Sequence, residues 1–383
     1  MKIRIDSVTP TPAKIIAEKC RNPAWGRVFS DRMFLAEWDE KRGWHDARIT
    51  RYSPLTLDPA TNVLHYAQQV FEGLKAHRAL NRGVALFRPG KHGERLNTSA
   101  ARLCMPAVGP ELFHDAVFAL VELEQAWVPP CGTGSLYVRP TLIATEAALG
   151  VRVSATYLFF IIAGPVGPYF PTGFKPVKIY VEPNYVRSSV GSIGFAKASG
   201  NYAASLLSAK TAHDKGCDQA LFLDAKEHRY LEELGGMNVF CVIDGTLMTP
   251  PLTGSILPGV TRASILELAP RLGLKALERP ITIDEVLRGV DTGRVSEMFA
   301  VGTAAVVTSI GSLLVRDQLV RITGDEVGPV ARKLYAELSG LHRGEIADPL
   351  GWMQAVPAPK AARPKASSRP KAKPRSAVKP RRR

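Results

Sequence analysis

The sequence predicts a mixed α/β protein of the α+β type with two domains. At 383 residues, the chain is longer than a single hydrophobic core usually serves. Hydrophobic residues make up 45% of it and charged residues 22%, which are ordinary values for a protein with a buried core. Apolar runs rich in β-branched and aromatic residues alternate with stretches of helical periodicity, so we expect both kinds of element throughout.

The predicted elements fall into two groups. The first half is predicted to form strands at 28–38, 84–87, 136–145 and 157–163 and a helix at 110–127. The second half is predicted to form strands at 177–181, 220–223 and 238–242 and helices at 201–215 and 262–272. Between them, seven of the thirteen residues from Gly164 to Pro176 are glycine or proline, which interrupt helices and strands. We therefore predict a small N-terminal domain at 1–163, an interdomain loop at 164–175 and a larger C-terminal domain at 176–356.

The positive charge is concentrated in a C-terminal tail. The formal net charge is +15, and residues 357–383 contain eleven lysines and arginines and no acid, which leaves 15 − 11 = +4 for the rest. Lysine, arginine, proline, alanine and serine dominate this tail, so we predict that it is disordered. A solubilising extension is the favoured interpretation, and weak, salt-sensitive, nonspecific binding of polyanions is the alternative.

The cysteines and the apolar runs favour a soluble, cytoplasmic protein. The five cysteines include no C-x-x-C pair and have no histidine cluster nearby, which argues against a zinc site and a disulfide scaffold. The N-terminus lacks the apolar segment of a signal peptide, and the longest apolar run, 157–163, is far too short to cross a membrane. We expect no metal and no membrane association.

Lys197 is the first candidate for chemistry. It lies among small and apolar residues just before a predicted helix, in the segment Phe-Ala-Lys-Ala-Ser-Gly-Asn-Tyr. A lone lysine is usually a surface residue. A lysine in a desolvated pocket, however, presents a neutral amine that forms a Schiff base with an aldehyde. Tyr202 could hydrogen-bond a phenolate oxygen of such a cofactor, or it could be an ordinary core tyrosine.

Glu232 and Glu233 are followed by a Gly-Gly pair and then by a predicted strand, so the two acids lead into an apolar segment. A carboxylate buried there needs a cationic partner, and a protonated pyridine nitrogen could supply one. For Glu233 we favour this interpretation, and for Glu232 we favour a solvated turn residue.

Three further segments could bind an anion. The residues from Leu257 to Arg262 precede a predicted helix and place a threonine hydroxyl and free backbone amides at its start, although the pattern also fits a simple helix cap. The Gly302–Ala305 turn offers a second hydroxyl. Arg95 could bind a phosphate as a forked donor, although a surface ion pair is the default for a lone arginine.

Six ordered motifs, taken together, resemble the branched-chain amino-acid aminotransferases, which are fold-type IV pyridoxal-phosphate enzymes. The motifs are Tyr66–Arg78, Leu136–Pro140, the Lys197 segment, Glu233–Asn238, Leu257–Arg262 and Gly302–Ala304. The resemblance extends from about Phe29 to about Gly344, which is most of the chain outside the tail. It implies a two-domain fold-type IV enzyme that reversibly transaminates leucine, isoleucine and valine with 2-oxoglutarate.

The resemblance also implies roles for individual residues. Lys197 would be catalytic and would hold pyridoxal 5′-phosphate as a Schiff base. The other implied cofactor-binding residues are Arg95, Tyr202, Glu233, Leu257, Val260, Thr261 and Thr303. The implied substrate-binding residues are Phe29, Tyr66, Phe71, Tyr137, Arg139, Thr303 and Ala304. Relatives are dimers or larger assemblies, so the resemblance implies at least a homodimer.

The sequence departs from the family pattern in three places and leaves two alternatives open. Ala305 and Thr308 occupy the positions of the redox C-x-x-C of mammalian members, Gly236 stands where some members have threonine, and the basic tail is not a family feature. The nearest alternative is another fold-type IV activity, such as D-amino-acid transamination or aminodeoxychorismate lysis. The other is a polyanion-binding protein with a vestigial enzyme body.

Overall fold

The protein is a mixed α/β structure built on two sheets, which confirms the predicted fold class. The computed structural model describes residues 1–169 and 174–359. Within those residues each sheet contains nine strands. No helix in the described part of the chain is both long and apolar enough to cross a membrane. The predicted tail lies outside the described residues from position 360 onward.

The first sheet and its helices come almost entirely from the N-terminal half. Its elements are β1 (Arg4–Ile5), α1 (Ala13–Arg21), β2 (Arg32–Asp39), β3 (Gly43–Arg51), α2 (Asn62–Tyr66), β4 (Gln69–Phe71), β5 (Leu74–Ala79), β6 (Gly83–Phe87), α3 (Pro89–Arg102), α4 (Pro110–Leu123), β7 (Ser135–Ala144) and β8 (Thr156–Val166). A 3-10 turn at Gln125–Trp127 extends α4, so the predicted helix over 110–127 has two parts.

The second half contains the remaining elements, and all of its strands except the last belong to the second sheet. They are β9 (Val177–Val181), α5 (Ser199–Ala204), α6 (Leu206–Asp214), β10 (Gln219–Leu223), β11 (Leu231–Leu234), β12 (Asn238–Ile243), β13 (Thr246–Thr249), α7 (Val260–Leu268), β14 (Ala276–Glu278), α8 (Ile283–Asp291), β15 (Val295–Gly302), β16 (Val306–Val315), β17 (Gln318–Arg321), α9 (Pro329–Arg343) and β18 (Met353–Ala355). A 3-10 turn at Ala269–Leu272 follows α7.

The two sheets differ in topology. The first has the order β1-β3-β2-β8-β7-β5-β6-β18, with β4 also paired to β7, so the last strand of the chain returns to the first sheet beside β6. The second has the order β11-β10-β9-β16-β15-β12-β13-β14, with β17 also paired to β16, and an extra pairing of β11 with β12 closes six strands into a ring. Closure removes two sheet edges and encloses an apolar core. The predicted domain limits stay a prediction.

Strand β8 extends into the segment that we predicted as the interdomain loop. Gly164 and Pro165 continue strand β8, which ends at Val166, although glycine and proline were expected to break it. Beyond Ile161 the neighbour β2 no longer pairs with β8, so this stretch pairs only with β7. Pro165 lies beyond the last residue of β8 that pairs with β2, so no ladder with β2 needs its N–H.

One predicted helix is interrupted. The stretch predicted as a helix over 201–215 forms α5 and α6, and Ser205 lies between them. The Ser205 hydroxyl donates to the Tyr202 carbonyl oxygen at 2.8 Å, a local bond that competes with the helical pattern. The break leaves Tyr202 on the short helix α5, which begins next to Lys197.

The candidate residues meet where the two sheets face each other. An isolated β-bridge joins Val70 to Ala198, and the Phe71 amide donates to the Lys197 carbonyl oxygen at 3.1 Å. A shared apolar cluster packs Phe87 of the first sheet with Phe240 and Phe299 of the second. The lysine segment is therefore fastened to the N-terminal sheet by its backbone.

Candidate active site

Lys197 lies half-buried between the two sheets, with its amine against aromatic rings. Its Nζ donates to the Tyr202 hydroxyl at 2.7 Å and lies 4.8 Å from the centre of the Phe71 ring. Its backbone amide donates to the Ser99 hydroxyl at 2.8 Å. The structure therefore brings Lys197, Tyr202 and Phe71 together as predicted, and the amine is held in place beside a phenol.

Glu233 is a buried carboxylate with several partners. Its Oε1 accepts from the Leu257 amide at 2.8 Å and lies 2.7 Å from Nη1 of Arg187, and its Oε2 lies 3.3 Å from the Asn238 amide nitrogen. Burial raises the pKa of Glu233, and the Arg187 guanidinium opposes that rise. Sequence reasoning missed Arg187, so it assigned the whole cationic role to a cofactor nitrogen. An arginine among small residues offers no distinctive signal.

Glu232 is not the solvated turn residue that we expected. It lies in β11 with only 6% of its surface exposed, and it accepts a hydrogen bond from the Ser255 hydroxyl. Its Oε2 is buried and has no hydrogen-bond partner among the described residues. Burial raises the pKa of Glu232 to about 7. The prediction failed because β11 pairs on both sides and both of its faces are covered.

This burial makes stability depend on pH in a defined direction. Because the folded-state pKa of Glu232 is about 7 and the ordinary pKa of a glutamate is 4.5, the folded protein keeps a proton that the unfolded chain releases between these values. The free energy of unfolding should therefore fall as pH rises from about 4.5 to about 7, by about 3 kcal/mol at most from this group. Glu232→Gln should remove that fall in denaturant unfolding measured at both ends of the window. The exposed Glu227→Gln is the matched control, and parallel curves for both variants and the parent would contradict the assignment.

The start of helix α7 forms an anion cradle. The first amides of a helix, here those of Val260 and Thr261, have no intrahelical acceptor and carry partial positive charge. Nη1 of Arg95 donates to the Pro258 carbonyl oxygen at 3.1 Å, which places its guanidinium beside this helix start. Thr261 and Thr303 line one small cavity of about 20 Å³. A forked cation, helix amides and hydroxyls together suit a dianion.

Glu72 orients this cradle and was not predicted. It is fully buried, and its carboxylate accepts from Arg95 Nε at 2.7 Å, Arg95 Nη2 at 2.9 Å and His92 Nδ1 at 2.7 Å. Burial would raise the pKa of Glu72, but the Arg95 guanidinium outweighs it and holds that pKa well below its usual range. Glu72 therefore stays ionised and fixes the plane of the Arg95 fork. Its position between Phe71 and Gly73 in an apolar segment was the available signal.

Tyr137, Arg139 and Phe71 form one wall beside the lysine. Nη2 of Arg139 donates to the Tyr137 hydroxyl at 3.0 Å, and the guanidinium lies 4.8 Å from the centre of the Phe71 ring. A side chain at Gly73 would clash with the Tyr137 hydroxyl, so only glycine fits there. These three predicted substrate residues are brought together next to Lys197.

Two predicted substrate residues occupy other surroundings. Phe29 precedes β2, and its half-buried ring stacks on Tyr52 with 4.9 Å between the centres. Tyr66, at the end of α2, is 39% exposed, and its ring lies 6.1 Å from that of His65. Tyr66 therefore faces outward in this chain rather than into the group around Lys197.

The Thr303–Ala304 turn joins β15 to β16 and faces strand β5 of the first sheet. The Lys75 ammonium donates to the Ala304 carbonyl oxygen at 2.6 Å, which links the turn to strand β5. Thr303 contributes to the anion cradle through the small cavity that it shares with Thr261. The predicted turn therefore lies beside the cradle, and Lys75 is a neighbour that sequence reasoning missed.

The donor set fits pyridoxal phosphate. The acid Glu233 and the anion cradle are linked by one short segment, because the Asn238 side-chain amide donates to the Leu257 carbonyl oxygen at 2.9 Å. A side chain at Gly259 would clash with Asn238, so this close approach requires glycine. Nη2 of Arg187, whose Nη1 pairs with Glu233, is buried and has no hydrogen-bond partner among the described residues. The Glu233 end of the site thus suits the ring nitrogen of the cofactor, and the anion cradle suits its phosphate. Lys197 supplies the amine.

Comparison with known proteins gives consistent results. The model of the class IV amino-transferase family matches residues 69–313. A probable branched-chain-amino-acid aminotransferase of Streptomyces coelicolor is 49% identical over 88% of this chain and 93% of its own length. The Escherichia coli branched-chain amino acid aminotransferase superposes with a TM-score of 0.71 at 28% identity, over 84% of this chain and 99% of that one. The T.th. branched-chain enzyme complexed with N-(5′-phosphopyridoxyl)-L-glutamate superposes with a TM-score of 0.69 at 26% identity, over 84% and 98%.

Proposed function

Since the chain belongs to the class IV amino-transferase family, we propose that it reversibly transfers the amino group of leucine, isoleucine or valine to 2-oxoglutarate. The products are branched 2-oxo acids and L-glutamate. One observation carries the proposal: the Lys197 amine is held by Tyr202 in the same interface as a buried acid and an anion cradle. The names of the relatives support the branched-chain class, and the T.th. complex supports both a phosphopyridoxyl group and glutamate in this fold.

Different residues of the chain bind different parts of the cofactor. Pyridoxal phosphate, when bound, supplies an aldehyde that condenses with amines and a ring that accepts electrons from the substrate. Lys197 would hold the cofactor covalently and would move the proton of the substrate α-carbon, while the Tyr202 hydroxyl orients that amine. Glu233 stabilises a protonated ring nitrogen. Arg95, Val260, Thr261 and Thr303 bind the phosphate, and Leu257 packs on the ring face.

The wall formed by Phe71, Tyr137 and Arg139 suits both the branched aliphatic side chains and the carboxylate side chain of glutamate. A branched aliphatic group can be recognised only by burying it, and the Phe71 and Tyr137 rings provide apolar surface. Glutamate brings a second carboxylate, which can accept from Arg139 and the Tyr137 hydroxyl. The amides and hydroxyl of the Thr303–Ala304 turn bind the α-carboxylate.

We further propose a homodimer as the working unit. Tyr66 and Leu64 are exposed on α2, and Leu149 and Val151 are exposed in the loop that is bonded to the start of α2 through Thr61–Ala147 and Asn62–Ala148; Leu64, Leu149 and Val151 are 59%, 73% and 89% exposed. Neighbouring exposed apolar side chains of this kind mark interaction surfaces. In the dimer these side chains are covered, and Tyr66 and Phe29 complete a substrate pocket that one chain leaves open.

The direct test is turnover with defined substrates. Purified protein with pyridoxal phosphate, L-leucine and 2-oxoglutarate should produce L-glutamate and the branched 2-oxo acid in equal amounts. D-leucine should give no product, which separates this activity from D-amino-acid transamination. Absence of turnover with all three branched L-amino acids would refute the proposal.

Removing the carboxylate that orients Arg95 should lower the affinity of the protein for pyridoxal phosphate. Glu72→Gln keeps the shape of the side chain but removes the charge that fixes Arg95 and His92. We expect the dissociation constant for pyridoxal phosphate to rise about 10- to 100-fold, the range found when supports of a binding group are removed. Fluorescence titration of the apoenzyme measures it. Glu94→Gln, on the exposed side of the same helix, is the control. Equal affinity of all three proteins would show that Arg95 needs no such support.

A further inference from the structure

A row of buried basic side chains extends from strand β5 away from the lysine site. Lys75 is only 8% exposed, and its ammonium donates to the Ala304 carbonyl oxygen at 2.6 Å. The Trp25 ring lies 6.0 Å from the ammonium. No aspartate or glutamate among residues 1–169 and 174–359 forms an ion pair with it. Burial alone lowers the pKa of Lys75 to about 8, so it remains mostly protonated at pH 7.

Two histidines continue the row. The His77 and His342 rings stack with centres 4.5 Å apart and planes 15° apart. His342 is 8% exposed, and its buried Nε2 has no hydrogen-bond partner among the described residues. Burial lowers the pKa of His342 to about 3 and that of His77 well below its usual value, and nearby Lys75 and Arg343 add to both effects. Both rings are therefore neutral at pH 7 and can each donate one N–H.

These groups face an open cavity of about 190 Å³. Its lining includes Lys75, His77, His342 and the Gly132–Ser135 loop. It contains none of the residues that contact the Lys197 side chain. Lys75 follows Phe71 by four residues, which corresponds to about 13 Å of extended chain. The cavity therefore lies apart from the Lys197 amine, but it shares Lys75, His77 and His342 with the small cavity that Thr261 and Thr303 line.

We propose that this cavity binds a small anion, either a carboxylate or phosphate. A buried ammonium with one carbonyl acceptor is unfavourable without a counterion, because desolvating a charge must be offset by pairing. An anion in the cavity accepts from the Lys75 ammonium and from the unpartnered N–H of His342. It also keeps Lys75 protonated, which strengthens the bond to the Ala304 carbonyl oxygen.

Occupancy of this site influences the turn that we propose for substrate binding. The same ammonium donates to Ala304, so fixing Lys75 also fixes the Thr303–Ala304 turn. This consequence rests on the proposed function, whereas the anion site itself does not. We therefore expect a bound anion to lower the KM for the amino acid.

The test uses the holoenzyme, because Lys75, His77 and His342 all also border the cavity that Thr261 and Thr303 line. Filling the phosphate cradle with pyridoxal phosphate separates the two anion sites. Equilibrium dialysis with labelled acetate and, separately, labelled inorganic phosphate should show one saturable anion per subunit beyond the cofactor. The ionic strength is held constant with a bulky sulfonate buffer. Tighter binding of acetate would identify the ligand as a carboxylate, and tighter binding of inorganic phosphate would identify it as a phosphate.

Two substitutions and a matched control complete the experiment. Lys75→Met should weaken binding at least about tenfold, and Lys75→Arg should retain it because the charge is restored. Lys333→Met is the control, since its ammonium also donates to one backbone carbonyl, that of Leu272 at 2.8 Å, but on the surface. The absorbance of bound cofactor verifies that each variant is folded.

Each outcome of this experiment either supports or overturns the proposed anion site. Saturable binding that is lost in Lys75→Met and kept in Lys333→Met supports the site. Binding seen only in the apoenzyme would mean that the cofactor phosphate balances Lys75, and the proposal would fall. Equal binding by Lys75→Met and the parent would also overturn it. Turnover of leucine is measured separately, so failure of the anion site leaves the proposed activity untouched.

Discussion

Lys197→Ala should lose the visible absorbance of protein-bound cofactor and at least about 10⁴-fold of the turnover. The substitution removes the amine held against Tyr202 and Phe71, so covalent attachment and proton transfer disappear together. Borohydride reduction followed by mass spectrometry measures attachment, and glutamate production measures turnover.

The fold should survive this change, so the loss can be assigned to chemistry. The bonds that fasten this segment involve the backbone of Lys197, namely its amide to Ser99 and its carbonyl oxygen to Phe71, and alanine keeps both. Far-ultraviolet circular dichroism should therefore match the parent. Lys210→Ala on the exposed face of α6 is the control, because Lys210 pairs with Asp214 on the surface, away from the site. A Lys197→Ala protein that kept a reducible covalent cofactor would disprove the assignment.

Much of the site could be predicted because its motifs are short and local. The lysine segment, the glycine-rich approach to α7 and the Thr303 turn each combine neighbouring residues, so their chemistry is visible in the sequence itself. The strand at 177–181 was predicted with the bounds that the structure has. The resemblance added the order of the motifs, which composition and periodicity do not provide.

The rest depended on contacts between distant parts of the chain. Glu72 meets Arg95, 23 positions away, and Arg187 meets Glu233 across the closed ring of strands. No periodicity links such pairs, so the sequence showed a buried acid without its partner. Glu232 was misjudged for the same reason, because only the pairing of β11 with two neighbours buries it.

Glu233→Gln should reduce turnover by about 10²- to 10³-fold, the effect of removing one preorganised electrostatic contact. Glutamine has the same shape and can still accept from the Leu257 amide, so the geometry is preserved while the negative charge is lost. Without that charge the ring nitrogen of the cofactor is held less firmly in its protonated form. Steady-state kinetics should show the loss mainly in kcat. Glu232→Gln, on the adjacent residue, should stay within about twofold of the parent at pH 7.

The Arg187 pair separates the structural role of Glu233 from its chemical role. Glu233→Gln leaves Arg187 as a buried cation without its carboxylate, which should lower the free energy of unfolding by about 3 kcal/mol. Adding Arg187→Gln removes the unpaired charge, so much of that stability should return, whereas turnover should stay low because the acid is still missing. A double-mutant cycle on both quantities measures the two couplings independently. If turnover recovered together with stability, Glu233 would be serving Arg187 rather than the cofactor.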